Sequence, residues 1–178
     1  MLLDLSQMRE ARARIERAIE PSQFPAAGDE AYRVEAPVDL AFDLFKDGRQ
    51  FHLVGGLQTT LGLSCSRCLE EYTQPVGADF DLLYVPHVEN TGEGEREIED
   101  DDLTTAYYRD EQIDLGQLVR EQLYLALPMK PLCRDECRGL CPECGTNLNT
   151  GACQCARTRI DPRLAALESL LDRGDGKV

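Results

Sequence analysis

Six cysteines fall between positions 133 and 155 in the pattern Cys-x3-Cys-x3-Cys-x2-Cys-x8-Cys-x-Cys. No other feature limits the chain so much, because clustered thiols must end as disulfides, buried apolar side chains or metal ligands. Disulfides are the answer for small secreted scaffolds that cannot build a core. This chain has 178 residues, 42% of them hydrophobic, and can bury a core without cross-links. The neighbourhood disfavours inert buried thiols, since Arg, Glu, Asn and Gly surround these cysteines and such residues seldom line a core. Metal is the favoured reading, with disulfides and inert thiols as the alternatives.

Cys141 and Cys144, in "CPECG", have the two-residue spacing that lets neighbouring thiolates grip one ion, and the following glycine permits the tight turn. They are the firmest ligands. The expected site takes four of the six thiols Cys133, Cys137, Cys141, Cys144, Cys153 and Cys155 around a tetrahedral zinc, leaving two spare. An ion closed in by four thiolates has no open position, so the expected zinc is structural. His52 and His87 lie far from the segment and read as ordinary surface or strand residues.

A second pair, Cys65 and Cys68 in "CSRCL", stands apart with the same spacing. Three readings stay open for it: a second metal site, redox chemistry, or the shaping of a turn. The pair interrupts a run that reads as an antiparallel meander, whereas a thioredoxin-like motif opens a helix after a parallel strand. With no base or helix start beside it to lower a thiol pKa, neither cysteine is expected to be catalytic.

The rest of the chain reads as an α+β fold: an antiparallel β-meander or partly closed sheet packed by helices, with the cysteine-rich zinc-binding segment at its C-terminal end. Apolar positions Met8, Ala11, Ile15, Ala18 and Ile19 predict an amphipathic helix from residue 6 to about 20, stopped by Pro21. Alternation through Val38, Leu40, Phe42 and Leu44 predicts a strand from about 32 to 45, with "KDGR" as the turn into a partner bearing Phe51, Leu53, Leu57, Leu61 and Leu63. Gly55 and Gly56 predict a bulge or a sharp bend. A further strand is expected from about 72 to 85. Asp114 and Gln117 predict a capping box, with Ile113 stapled against Leu118, for a helix ending at Pro128. Asp161 and Pro162 predict a last helix carrying Leu164, Leu167 and Leu171. The expected organisation is a core over 1–129 with an acidic loop at 86–102, the zinc segment over 130–160, and a C-terminal helix and tail over 161–178.

Charge narrows the function. The chain holds 19 basic and 33 acidic residues, a net charge of -14, which repels a phosphate backbone. Eight of the acids crowd into residues 89–102. The segment 130–159 has five basic and three acidic residues but no aromatic ring on which a base could stack. Direct RNA contact is therefore secondary to binding a basic protein. The longest apolar run, "LYLALPM", is far short of the roughly 20 residues of a membrane span. "MLLDLSQMREARAR" lacks the apolar stretch of a signal peptide, and its acids disfavour a transit peptide. Cytoplasmic residence and reduced thiols are the expectation.

"CSRCLEEY", "LALPMKPLC", "CRGLCPECGTNLN" and "IDPRLAALESL" together resemble the YceD family, whose members are associated with accumulation of 23S ribosomal RNA. The resemblance singles out Cys65, Arg67 and Cys68 in the first motif and the six C-terminal cysteines in the second. It implies an accessory factor in synthesis, processing or stability of 23S rRNA and in large-subunit assembly. No catalytic constellation with convincing context accompanies these motifs, so a non-enzymatic factor is expected, acting through a basic ribosomal or assembly protein. A zinc-ribbon RNA-binding module and a thiol redox or metal-handling protein are the alternatives.

Overall fold

The structure is a computed structural model and describes residues 1–24, 31–87 and 104–155. The acidic run 89–102 and the expected helix after Asp161 lie outside those residues.

Hydrophobic alternation builds the centre. Strands β4 (Val38–Asp47), β5 (Gln50–Ser64) and β6 (Glu71–Pro86) form an antiparallel meander, with the β4–β5 hairpin turning at Gly48 and Arg49 within the "KDGR" motif, as expected. In-register pairs such as Leu44, Leu53 and Leu82 stack across the three strands, so even positions of β4 and β6 and odd positions of β5 share one face. Val38, Leu40, Phe42, Leu53, Leu57, Leu61 and Phe80 are buried there.

Among the described residues, one helix covers that face. Helix α1 (Leu115–Ala126) buries Leu115, Leu118, Val119 and Leu123 in the same core, each contributing about 1.5–3 kcal/mol relative to exposure. The carboxylate of Asp114 caps it, accepting from the backbone N–H groups of Gly116 and Gln117 at 2.8 and 3.3 Å. Ile113, on the other side of the cap, is buried with Leu118. No bond from the Asp114 N–H to the Gln117 side chain closes a capping box, and the Gln117 Nε2 donates to Glu121. The helix stops at Leu127, before Pro128, which has no N–H to continue it.

Around the meander lie shorter strands. β2 (Arg12–Ile19) adds to β4 antiparallel, β3 (Arg33–Val34) pairs with β5, and β7 (Thr105–Tyr108) pairs with β6 in parallel. The sheet order β2-β4-β5-β6-β7 is open, with β2 and β7 at its edges. β1 (Leu2–Asp4) and β8 (Gln112–Asp114) form a separate two-stranded pair that leads into α1.

Three expectations change. The N-terminal helix is strand β2. Ile15 and Ile19 are four apart, a spacing that fits a helix and also one face of a strand. The free edge of β4 decides between them, because it offers eight residues of ladder, and Arg12 and Arg14 both bind Asp43 across it. Among the described residues, one α-helix rather than several packs the sheet. Gly55 and Gly56 make no bulge, since their register with β4 and β6 is unbroken. Gly55 instead sits between Phe42 and Phe80, whose rings meet over it with centroids 6.1 Å apart. A Cβ there would collide with the backbone of Ala41 and Phe42.

Candidate metal centre

The β5–β6 connection carries the first cysteine pair. Cys65 follows β5 directly, its N–H donates to Glu70 O, and Leu69 closes the turn with a left-handed φ of 61°. "CSRC" is thus a hairpin tip, and Cys65 and Cys68 are buried in it. Against this tip lies the chain that leaves α1. Ser66 donates from both its N–H and its hydroxyl to Pro131 O, at 2.9 and 2.7 Å. Arg67 acts as a brace: its guanidinium donates to Cys137 O at 2.8 Å and Asp135 O at 3.3 Å, and its own carbonyl accepts from Leu140 N–H. Gly139 has a φ of 72° and no side chain where it meets Arg67, and a Cβ would lie 2.9 Å from Arg67 O.

These contacts bring Cys65, Cys68, Cys133 and Cys137 together, with all four sulfurs within 4.8 Å of one another. Sγ of Cys65 is 3.8 Å from that of Cys137, and Cys68 is 3.7 Å from Cys133. A disulfide would hold sulfurs about 2.05 Å apart, whereas a tetrahedron with metal–sulfur bonds of about 2.3 Å has edges of about 3.8 Å. Tyr72, Leu132 and Leu140 pack around the group.

The other four cysteines form a second group. Cys141 N–H donates to Thr146 O, and Gly145 N–H, with Gly145 at a φ of 72°, donates back to Cys141 O. This turn places Cys144 beside Cys141. Leu140 bridges to Asn147 and Leu148 N–H donates to Gly139 O, closing a small loop. The chain then returns Cys153 and Cys155 to within 4.8 Å of the first two sulfurs.

Thiol ionisation within each group is uneven. Burial opposes the charge on Cys65, but the backbone N–H groups of Cys133, Cys68 and Arg67 outweigh it and bring its pKa down to about 6. Its partner Cys68 is favoured by the N–H of Glu70, yet burial and the sulfurs of Cys65, Cys137 and Cys133 push it up to about 12. The outer group repeats this pattern. The Thr146 hydroxyl and N–H hold Cys144 at about 6, while the Cys144 sulfur pushes Cys155 up to about 12. Four thiolates this close repel one another, and a bound cation is what allows all four to stay ionised. All-sulfur donor sets of this geometry suit a soft or borderline ion such as Zn2+, so each group can hold a metal ion.

The six C-terminal cysteines therefore do not share one site. The structure joins Cys141 and Cys144 to Cys153 and Cys155, and sends Cys133 and Cys137 to Cys65 and Cys68. No thiol is spare. Arithmetic carried the missed signal, since eight cysteines make two complete sets of four and six do not. The inner group also spans the expected boundary at 129/130. Cys65 does not keep the ordinary thiol pKa expected of it, because three N–H donors stand in for the missing base. His52 lies on β5 against Asp81, and His87 accepts from Arg109 at 3.0 Å. Neither is within either sulfur group.

A mostly β protein with two cysteine quartets that can hold metal is the class that fold and site define. Within that class the chain belongs to the YceD family, "Large ribosomal RNA subunit accumulation protein YceD", which it matches over residues 53–171. Homologues of YceD from the chloroplasts of Zea mays and Arabidopsis thaliana are 28% and 27% identical to it, over 67% and 77% of this chain and 48% and 49% of their own. The chain thus spans about half the length of those relatives. The protein YlbN of Bacillus subtilis is 32% identical over 64% of this chain and 62% of its own length. No solved structure matches.

Proposed function

We propose that this protein is a non-enzymatic accessory factor in the synthesis, processing or stability of 23S rRNA and in assembly of the large ribosomal subunit, acting through a basic protein partner. Membership of a family named for accumulation of the large ribosomal RNA is the observation that carries the reading. Zn2+ is the structural ion, held by Cys65, Cys68, Cys133 and Cys137 and by Cys141, Cys144, Cys153 and Cys155. Four thiolates around each ion leave no position for substrate or an activated water, which supports a structural rather than catalytic role. The net charge of -14 favours encounter with the basic proteins of a nascent subunit over naked RNA. No helix of the described residues is long and apolar enough to cross a membrane; cytoplasmic residence is part of the proposal and is supported by the need of these sites for reduced thiols.

Affinity purification of the tagged protein from growing cells, with protein and RNA both identified, tests this reading. Large-subunit assembly intermediates and basic ribosomal proteins are the expected recovery, weakening as salt rises. RNA recovered without protein would favour direct binding by the cysteine segment, and recovery of thiol substrates alone would favour redox chemistry. Either result would overturn the proposal.

A further inference from the structure

The two quartets have the same chemistry but not the same setting. The inner group joins residues distant in sequence, since Cys65 and Cys68 come from the sheet and Cys133 and Cys137 from the segment after α1. Three of its members, Cys65, Cys68 and Cys137, are at most 4% exposed, and Tyr72, Leu132 and Leu140 close over them. Ser66 and Arg67 hold the two chain segments together on either side of it. The outer group is drawn from fifteen consecutive residues, 141–155. Cys144 is exposed, Cys153 and Cys155 are half-buried, and among the described residues the last backbone turn bond of the segment is from Gly151 to Asn147. Cys153 and Cys155 lie beyond that bond.

We infer that the chain carries two zinc ions in unequal sites: an inner ion that fastens the cysteine segment to the β5–β6 hairpin and exchanges slowly, and an outer ion that is local to residues 141–155 and exchanges readily. This inference rests on the zinc reading given above. A tetrahedral d10 ion passes to another ligand when an incoming donor reaches it and a thiolate departs. Solvent reaches the outer sulfurs through Cys144, and departure needs only local fraying after Gly151. At the inner site Cys65, Cys68 and Cys137 are buried and only Cys133 is half-buried, so an incoming donor has a single, narrower approach, and departure breaks the docking of segment to hairpin. The inner ion is thus a staple for the fold, and the outer ion shapes the end of the segment that the protein presents to its surroundings.

The test uses the full chain, purified without chelators. Elemental analysis should give two zinc ions per chain. Transfer of zinc to the chromogenic chelator 4-(2-pyridylazo)resorcinol should proceed in two phases of equal amplitude, with rates at least about tenfold apart. Cys144→Ser should retain one zinc and only the slow phase, and Cys68→Ser should retain one zinc and only the fast phase. Should Cys68→Ser lose its far-UV circular dichroism, Cys133→Ser, at a half-buried ligand of the same site, takes its place with the same expectation. A single release rate, or loss of the slow phase in Cys144→Ser, would overturn the inference while leaving the zinc reading intact, and one zinc per chain in the wild type would overturn the inference together with the assignment of zinc to both quartets. No zinc at all would overturn that reading too.

Discussion

The sheet and the cysteine segment are held together by different forces. Strands β4, β5 and β6 with α1 bury a continuous apolar set, from Val38 and Phe42 through Leu57 and Phe80 to Leu118 and Leu123, and satisfy their backbone in one long ladder. Residues 131–155 have no helix and no strand beyond the single Leu140–Asn147 bridge, and bury only Cys137, Cys141 and Leu148 among their side chains. A stretch so poor in apolar contacts cannot offset the entropy of ordering it by burial alone. Its order comes from sulfur, from N–H donors aimed at sulfur such as Asn149 Nδ2 at 3.3 Å from Cys137, and from the hairpin tip that it grips. Two regions of one chain can thus be stable for unrelated reasons, and each can be broken without the other.

Metal removal should separate them most sharply. Structural zinc sites bind with apparent free energies on the order of 10–16 kcal/mol in small zinc modules, so stripping both ions should release residues 131–155 altogether. Amide hydrogen exchange should then show loss of protection at Leu140, Cys141 and Leu148, with β5 and β6 still protected away from the hairpin tip. Uniform loss of protection through the sheet would mean that the two halves are one cooperative unit.

The opposite cut is Phe42→Ala, which should cost about 3–5 kcal/mol in urea unfolding followed by far-UV circular dichroism. Zinc content should not change. Gly55→Ala is milder but tests a narrower point. If the glycine is there to let Phe42 and Phe80 meet, the added Cβ should cost about 1–3 kcal/mol by overpacking, whereas a flexible bulge would accept it at no cost.

The smallest effect belongs to Asp114. Partial burial raises its pKa, but the N–H groups of Gly116 and Gln117 and the ammonium of Met1 at 3.2 Å more than offset this, so the folded value lies below the usual 3.8. A carboxylate with a depressed folded pKa adds stability that is complete above its unfolded value and is lost as pH falls through the folded one. Asp114→Ala should therefore cost about 1 kcal/mol at neutral pH, and the gap between variant and wild type should close below about pH 4. An unchanged gap at acid pH would remove the cap from the account.

Much of the sheet was legible in the sequence because alternation through Val38, Leu40, Phe42 and Leu44 admits one period only. The N-terminal strand was not, because Ile15 and Ile19 satisfy two periods and the choice is made by the edge of β4, where their partners are Phe42 and Val38. The cap at Asp114 could be read from its neighbours. The bulge could not be refuted from them, since the reason for Gly55 lies in rings on two other strands. The cysteine site divides in the same way: the knuckle at Cys141 and Cys144 is a local spacing, visible at once. The inner quartet depends on where a hairpin tip lands against the exit of a helix, and spacing carries no record of that. Arg67 was singled out by family resemblance alone, and its role as a brace on Asp135 and Cys137 exists only in three dimensions.

The proposed zinc role rests on eight thiols closing two all-sulfur sites. X-ray absorption at the zinc edge on the purified full-length protein addresses that claim directly. The account predicts a single first shell of four sulfurs per zinc at about 2.3 Å, with no nitrogen or oxygen ligand. A shell containing light atoms, or fewer than four sulfurs per ion, would mean an open or mixed site and would contradict it.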